Sequence, residues 1–299
     1  MTSCARRMLR GIRCLVAAVA AATCLAATAA EPLALEPYGH LQAELDSILA
    51  DMGLEQAAVQ GRLAVALVEL DNRQPRSLAM VNGHRMMYAA SLPKIAILYG
   101  AAVALDEGRI ELDEALHQDL IAMIRQSCNP CATRVLEHIG RSWLLELLQE
   151  GRHRFYDPET GGGLWVGKDY ARGRAFERDP LFGLSHGATA WQTARWYYLL
   201  VNGELASPER TDLMLEALSD PAIAHKFVKG LAGQETSAMY RKSGTWKRFH
   251  ADSVLIEAGE HCYILVALSD DSRGGRWMEE LARRVHEHVT GGQHLPGAG

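Results

Sequence analysis

Strand-like runs stand at both ends of this chain, with a long helical block between them. RLAVALVELD (62–71) and RSLAMVNGH (76–84) read as two strands joined by a turn through Asn72, Arg73, Gln74 and Pro75. YRKSGTW (240–246), ADSVLIEA (251–258) and HCYILVALSD (261–270) read as three more. Strands contributed by both ends imply one antiparallel sheet that the two ends complete together, with the helical block inserted as a second lobe. GHLQAELDSILADM, from Gly39 to Met52, and the closing stretch GGRWMEELARRVHEHV are amphipathic and fit helices against that sheet. The segment from Ala115 to Gly203, with faces such as WLLELL and WYYLL, is expected to be mostly helical. The expected fold is therefore α+β, an antiparallel sheet of about five strands flanked by helices, with an all-helical lobe inserted. The sheet lobe would take residues 38–90 and 225–290 and the helical lobe 91–224. A ligand site is expected at the seam between them. At 299 residues, 48% hydrophobic and 22% charged, the chain can bury a large core as one such unit over 31–290. GGQHLPGAG would be a flexible tail.

The first thirty residues stand apart. Arg6, Arg7, Arg10 and Arg13 precede the alanine-rich run LVAAVAAATCLAATAA, and Ala27 to Ala30 offer small residues for cleavage. That is the pattern of an export signal, and the apolar run is short for a membrane anchor. Its removal deepens the net charge from −5 to about −9, which argues against nucleic acid as a partner. No other stretch approaches a spanning length, so the expectation is an exported, soluble protein, periplasmic or secreted, and a monomer.

Of six cysteines, Cys4, Cys14 and Cys24 leave with the signal, and Cys128, Cys131 and Cys262 stay. An odd number in an oxidising compartment leaves at least one thiol unpaired or bridging two chains. Cys128-Asn129-Pro130-Cys131 has the form C-x-x-C, but no second pair or histidine cluster accompanies it, so no metal site is expected. Nor does the flanking pattern suit a redox motif, and small buried residues are the expected role.

Three short motifs carry the chemistry. Ser91-Leu92-Pro93-Lys94 opens the run SLPKIAILYGAAVALDEG and puts a hydroxyl and an amine on one face of a first helical turn. Serine needs a base within reach, and a lysine whose pKa is lowered by burial can be that base. An ordinary helix cap is the plainer alternative. Ser127-Cys128-Asn129 opens a second helix, and Lys242-Ser243-Gly244-Thr245 lies in a strand. Taken in order, the trio resembles S-x-x-K, S-D-N and K-T-G of the class A β-lactamases and penicillin-binding proteins. The resemblance runs from about Leu41 to about Val289.

What it implies can be put residue by residue. Ser91 would be the nucleophile and Lys94 its proton acceptor, with Ser127 relaying a proton to the leaving nitrogen. Asn129 would hold the substrate amide and Lys94. Lys242 would supply a cation near the substrate carboxylate, with Ser243 or Thr245 hydrogen-bonding that carboxylate and Gly244 in the substrate-binding strand. The backbone N–H groups of Ser91 and Thr245 would form the oxyanion hole.

The sequence also departs from the family. Ser127 follows Ser91 sooner than is usual, which implies a more open cleft, and Cys128 stands where the second motif has aspartate. The family presents a glutamate to the deacylating water from a loop that here reads GRHRFYDPETGGGLWVGKDYARGRAFERDPLFGLSHGATA. YDPE makes Asp157 the nearest match to that base, with Glu159, Glu177 and Asp179 as rivals; Trp165 and Lys168 fit packing as well as function. The expected function is hydrolysis of a β-lactam ring through an acyl-enzyme, without metal or organic cofactor. The alternatives are a slowly deacylating penicillin-binding peptidase or esterase acting on cell-wall peptides, and a non-catalytic peptidoglycan-binding module.

Overall fold

The computed structural model describes residues 39–71 and 74–291. The expected export signal, Asn72 and Arg73 of the first turn, and residues 292–299 of the tail lie outside the described residues.

The chain begins with helices α1 (Gly39–Asp51) and α2 (Glu55–Val59), then strands β1 (Leu63–Asp71), β2 (Gln74–Val81) and β3 (Met87–Tyr88). Helices α3 (Lys94–Asp106), α4 (Glu114–Arg125), α5 (Asn129–Ile139) and α6 (Arg141–Glu150) follow. An extended segment carries four short strands: β4 (Tyr156–Asp157), β5 (Gly162–Gly163), β6 (Trp165–Val166) and β7 (His186–Ala188). Then come α7 (Ala190–Val201), α8 (Pro208–Leu218) and the single turn α9 (Phe227–Gly230). Strands β8 (Ala238–Trp246), β9 (Phe249–Ala258) and β10 (His261–Asp270) lead into the closing helix α10 (Gly274–Val289).

The main sheet has the order β2-β1-β10-β9-β8, all antiparallel, so the two ends of the chain meet at the β1–β10 pair. Leu67 lies opposite Leu265 and Ala64 opposite Leu268. β1 and β10 are continuous buried apolar runs over Leu63–Val68 and Tyr263–Leu268 because both faces of the sheet are covered there. Ala64, Ala66 and Val68 of β1 join the core beneath the helical lobe, whereas Leu63, Val65 and Leu67 join a second core under α1 and α10. Within the helical lobe α3 is apolar on every side and almost wholly buried, as a central helix must be.

The expectation of a mostly helical 115–203 holds for α4, α5, α6 and α7 but not for residues 151–189. Gly161, Gly162 and Gly163 all take positive φ there, and left-handed Gly161 ends the 3₁₀ turn Pro158–Thr160. This segment runs back past the start of α3, where β7 pairs with both β3 and β6. Edge strand β8 lies along the same place from the other side. A Cβ added to Gly244 would lie 2.1 Å from the Ala89 carbonyl oxygen and 2.7 Å from the Ser91 nitrogen, so only glycine allows this approach. No helix among the described residues is long and apolar enough to cross a membrane.

Candidate active site

Ser91 sits in a tight turn that leads into α3. Its carbonyl accepts the Lys94 N–H at 3.3 Å, and Leu92 and Pro93 make the next i to i+3 bonds. Such bonds set residues i and i+3 over one another, which stacks Lys94 above Ser91. Ala90, just upstream, is held at φ +51°, a left-handed conformation that costs a non-glycine residue energy and recurs at functional sites. Among the described residues no hydrogen bond occupies the Ser91 hydroxyl.

Lys94 is fully buried, and its Nζ reaches the second motif. It lies 2.8 Å from Asn129 Oδ1, 2.7 Å from the Ser127 carbonyl, 3.3 Å from the Cys128 carbonyl and 3.4 Å from Ser127 Oγ. No carboxylate is among these partners. Burial without a counter-charge lowers the Lys94 pKa from its ordinary value to about 7. Lys242, also buried, places its Nζ 3.0 Å from the same Ser127 Oγ and 2.8 Å from the Ser243 carbonyl. Burial first, then the nearby Lys94, pushes Lys242 well below the usual lysine range. Two amines against one hydroxyl disfavour double protonation, so the group holds a neutral amine able to take a proton.

Ser127 is held at φ +57° immediately before α5. Cys128 is the helix cap, and it is disulfide-bonded to Cys131 in the first turn, with their Cα atoms 5.4 Å apart. The expectation of small buried residues holds for Cys131, while Cys128 is half-buried; the bridge arises because the capping turn folds positions three apart onto each other and brings the thiols within bonding reach. Cys262 stands outside any disulfide among the described residues.

The third motif is set on β8 by charges that sequence spacing does not reveal. Arg241 and Asp252, on neighbouring strands and both buried, form a bidentate pair at 2.7 Å on each arm. Lys226 donates to the Gly244 and Ala251 carbonyls, at 2.7 and 2.9 Å. The Ser243 hydroxyl is 3.2 Å from His225 Nε2, and burial lowers that imidazole to about 4. Thr245 is exposed at the end of the strand, in line with Ser243.

The long loop presents a ring, not an acid, to Lys94. Tyr170 has its ring centroid 4.5 Å from Lys94 Nζ and its hydroxyl 3.2 Å from the Ala90 carbonyl. His186 packs behind it with ring centroids 4.4 Å apart and bonds the Lys168 carbonyl at 2.9 Å. Burial holds His186 at about 4, hence neutral, and raises the Tyr170 phenol far above its usual range. Asp157 bonds within its own loop, to the Glu159 N–H at 3.0 Å and to Arg154 at 3.4 Å. Asp179 is buried and accepts from the Tyr156 hydroxyl and from the Leu181, Phe182 and Leu184 N–H groups. Glu159 and Glu177 are exposed. Trp165 is fully buried and its Nε1–H donates to the Glu177 carbonyl, so it anchors the loop. None of the hydrogen bonds of these four acids reaches Ser91, Lys94 or Ser127.

The structure thus brings Ser91, Lys94, Ser127, Asn129, Lys242 and Gly244 together. Sequence reading missed Tyr170, His186 and His225, for which no local pattern gives a signal. Asp252 did carry one, since an acid inside the apolar strand ADSVLIEA needs a buried cation beside it.

The chain matches the model of the β-lactamase enzyme family over residues 41–126 and 175–289. The intervening segment, which holds Ser127, the disulfide, Asp157 and Tyr170, falls outside that match. No curated protein matches the chain. Among solved structures, PBP-A is similar at 19% identity and a TM-score of 0.65, over 86% of this chain and 99% of that one. A β-lactamase from Sphaerobacter thermophilus DSM 20745 is similar at 18% identity and a TM-score of 0.65, over 84% and 99%. A PBP-A mutant in an acyl-enzyme complex with penicillin G is similar at 20% identity and a TM-score of 0.62, over 86% and 100%. Likeness at this identity establishes the shared fold.

Proposed function

Because this chain belongs to the β-lactamase enzyme family, we propose that it is a serine hydrolase working through an acyl-enzyme on Ser91, with the β-lactam ring as its first substrate. The observation that carries the proposal is Ser127 Oγ held between the amines of Lys94 and Lys242, at 3.4 and 3.0 Å. Neutral Lys94 takes the proton of the Ser91 hydroxyl as the oxygen attacks the ring carbonyl. The oxyanion is received by the N–H groups of Ser91 and Thr245, one on each side of the Gly244 contact. Ser127 passes a proton to the departing nitrogen and regains one from its amine neighbours. Asn129 orients Lys94 and the substrate amide, and Lys242, Ser243 and Thr245 bind the substrate carboxylate.

Incubation with benzylpenicillin should add the mass of the intact ligand at Ser91, and Ser91→Ala should abolish the adduct. Absence of an adduct, together with no turnover of a chromogenic cephalosporin, would leave a non-catalytic binder of cell-wall peptides.

A second reading, a penicillin-binding peptidase or esterase that releases its acyl group slowly, draws on the Tyr170 ring at Lys94 and on the absence of a carboxylate there. It expects a burst of acylation followed by a low steady rate. Asp157 remains the sequence's nearest match to a deacylating base, and Asp157→Asn should then lengthen the acyl-enzyme lifetime. Tyr170→Glu, which puts a carboxylate beside Lys94, should shorten it by about 10²-fold, the usual worth of a general base. The export signal and the acidic charge favour a periplasmic or secreted monomer acting on small molecules or cell-wall peptides, with no nucleic acid and no cofactor.

A further inference from the structure

Beside the serine lies a cleft of about 780 Å³, within the size range of small-molecule sites, that the acylation chemistry does not use. It opens between the long loop and the β8–β9 hairpin. Four cations line it: Lys168, Arg174, Arg178 and Lys247. Three aromatic side chains, Tyr88, Trp246 and Phe249, supply apolar wall, and no carboxylate does. In a protein with a net charge of −5 this concentration of positive charge is a local feature and not a property of the whole surface.

Two acids of the loop are committed elsewhere. Asp169 is held bidentate by Arg141 at 2.7 and 2.9 Å, and Asp179 by backbone N–H groups. Exposed Glu177 makes no ion pair among the described residues. Arg178 spends one nitrogen on the Gly183 carbonyl at 2.7 Å, while Arg174 and Lys247 have no hydrogen-bond partner among the described residues. The platform beneath them is tied together by backbone hydrogen bonds. Glu177 N–H bonds the Gly167 carbonyl at 3.0 Å, Gly167 N–H bonds the Ser185 carbonyl at 2.8 Å, and a Cβ on Gly167 would strike the Glu177 carbonyl at 1.5 Å. Unpaired like charges fixed on such a platform repel one another until an anion joins them.

The cleft also adjoins the chemistry. Trp246 directly follows Thr245 on β8, and Tyr88, three residues before Ser91, meets Phe249 with ring centroids 5.3 Å apart. We infer that this cleft is a specificity subsite for substrates whose side chain, away from the reacting carbonyl, joins an apolar group to a second anionic group. The inference rests on the acyl-enzyme reading. Guanidinium forks bind carboxylates in parallel pairs, and the aromatic walls take the apolar part.

The test compares benzylpenicillin with carbenicillin, which differs by one extra carboxylate on the side chain. The second-order rate of Ser91 acylation should favour carbenicillin by about 10-fold at low salt, and 0.5 M NaCl should erode that advantage as it screens exposed charge. In Arg174→Gln/Lys247→Gln the advantage should fall to parity, because these substitutions remove charge and no internal bond. Equal rates for both penicillins in the parent, or an advantage that survives in the double variant, would overturn the subsite. A separate titration of Ser91→Ala, read through fluorescence of exposed Trp246 against a Trp246→Phe control, separates the two claims. Tighter binding of carbenicillin there without acylation of the parent would sink the acyl-enzyme reading and keep the subsite. Acylation of the parent with no such difference in binding would do the reverse.

Discussion

The ring of Tyr170 lies 4.5 Å from the Lys94 nitrogen, on a face of that amine where no carboxylate makes a hydrogen bond. The contact decides two properties at once. It covers Lys94 against water, which sustains the depressed pKa, and it puts a ring rather than a carboxylate against that amine.

The pH profile of acylation follows from the first property. Lys94 titrates at about 7 and works as a base only when neutral, so the acylation rate should rise through about pH 7 and level off above it. His186 and His225, both lowered to about 4, are already neutral there and do not set this limb. Tyr170→Ala admits water, returns Lys94 toward the ordinary lysine value and should move the limb upward by about one unit, about a fivefold loss at pH 7 that approaches tenfold at lower pH. Stopped-flow acylation from pH 5 to 10 reads both; an unmoved limb would show that the ring does not control Lys94.

Gly244 offers a sharper test of the nucleophile's setting. Its missing side chain lets β8 approach the Ala89 carbonyl and the Ser91 nitrogen, both of them backbone that cannot swing aside. Gly244→Ala should push the strand edge away from Ser91 and cost acylation about 10²–10³-fold, as loss of an oxyanion donor does. Circular dichroism should change little, because β8 keeps its pairing with β9. A variant that acylates at the parental rate would remove Thr245 from the oxyanion hole.

The Cys128–Cys131 bridge ties down the turn that aims Ser127 between the two lysines. Reduction, or Cys131→Ser, should lower acylation by about 10-fold while the fold persists. A loop this short should yield about 2 kcal/mol of stability from chain entropy. Matching losses in the reduced parent and the variant, by acylation rate and urea midpoint, would establish the link. An unchanged rate would make the bridge a stabiliser only.

Arg241 and Asp252 bear on stability more than on chemistry. Asp252→Asn leaves the Arg241 guanidinium buried without its counter-charge and should cost about 3–5 kcal/mol in denaturant unfolding. Because Asp252 also accepts the Phe227 N–H at 3.1 Å, the turn that carries His225 and Lys226 should loosen with it. A loss below about 1 kcal/mol would mean that water reaches the pair.

What the sequence by itself determined is what neighbouring residues encode. Apolar runs at both ends of the chain specify the strands and one antiparallel sheet that the two ends complete. An i, i+3 spacing puts Ser91 and Lys94 on one turn, and Ser127 and Asn129 flank the cap of α5. Tertiary structure alone decided the rest. Residues 151–189 read as a long loop within a mostly helical stretch, but its course past α3 is set by glycines at positive φ and by the pairing of β7 with β3, which composition does not encode. Tyr170 reaches Lys94, His225 reaches Ser243 and Arg241 reaches Asp252 only once separate segments pack, and nothing in their flanking residues marks those meetings. Of the acids that sequence order offered for deacylation, Asp157 and Asp179 bond within their own loop, since a buried carboxylate such as Asp179 is kept by the N–H groups it satisfies. Local spacing fixes which groups can act, whereas burial and long-range contact fix the charge each carries and the partner it faces.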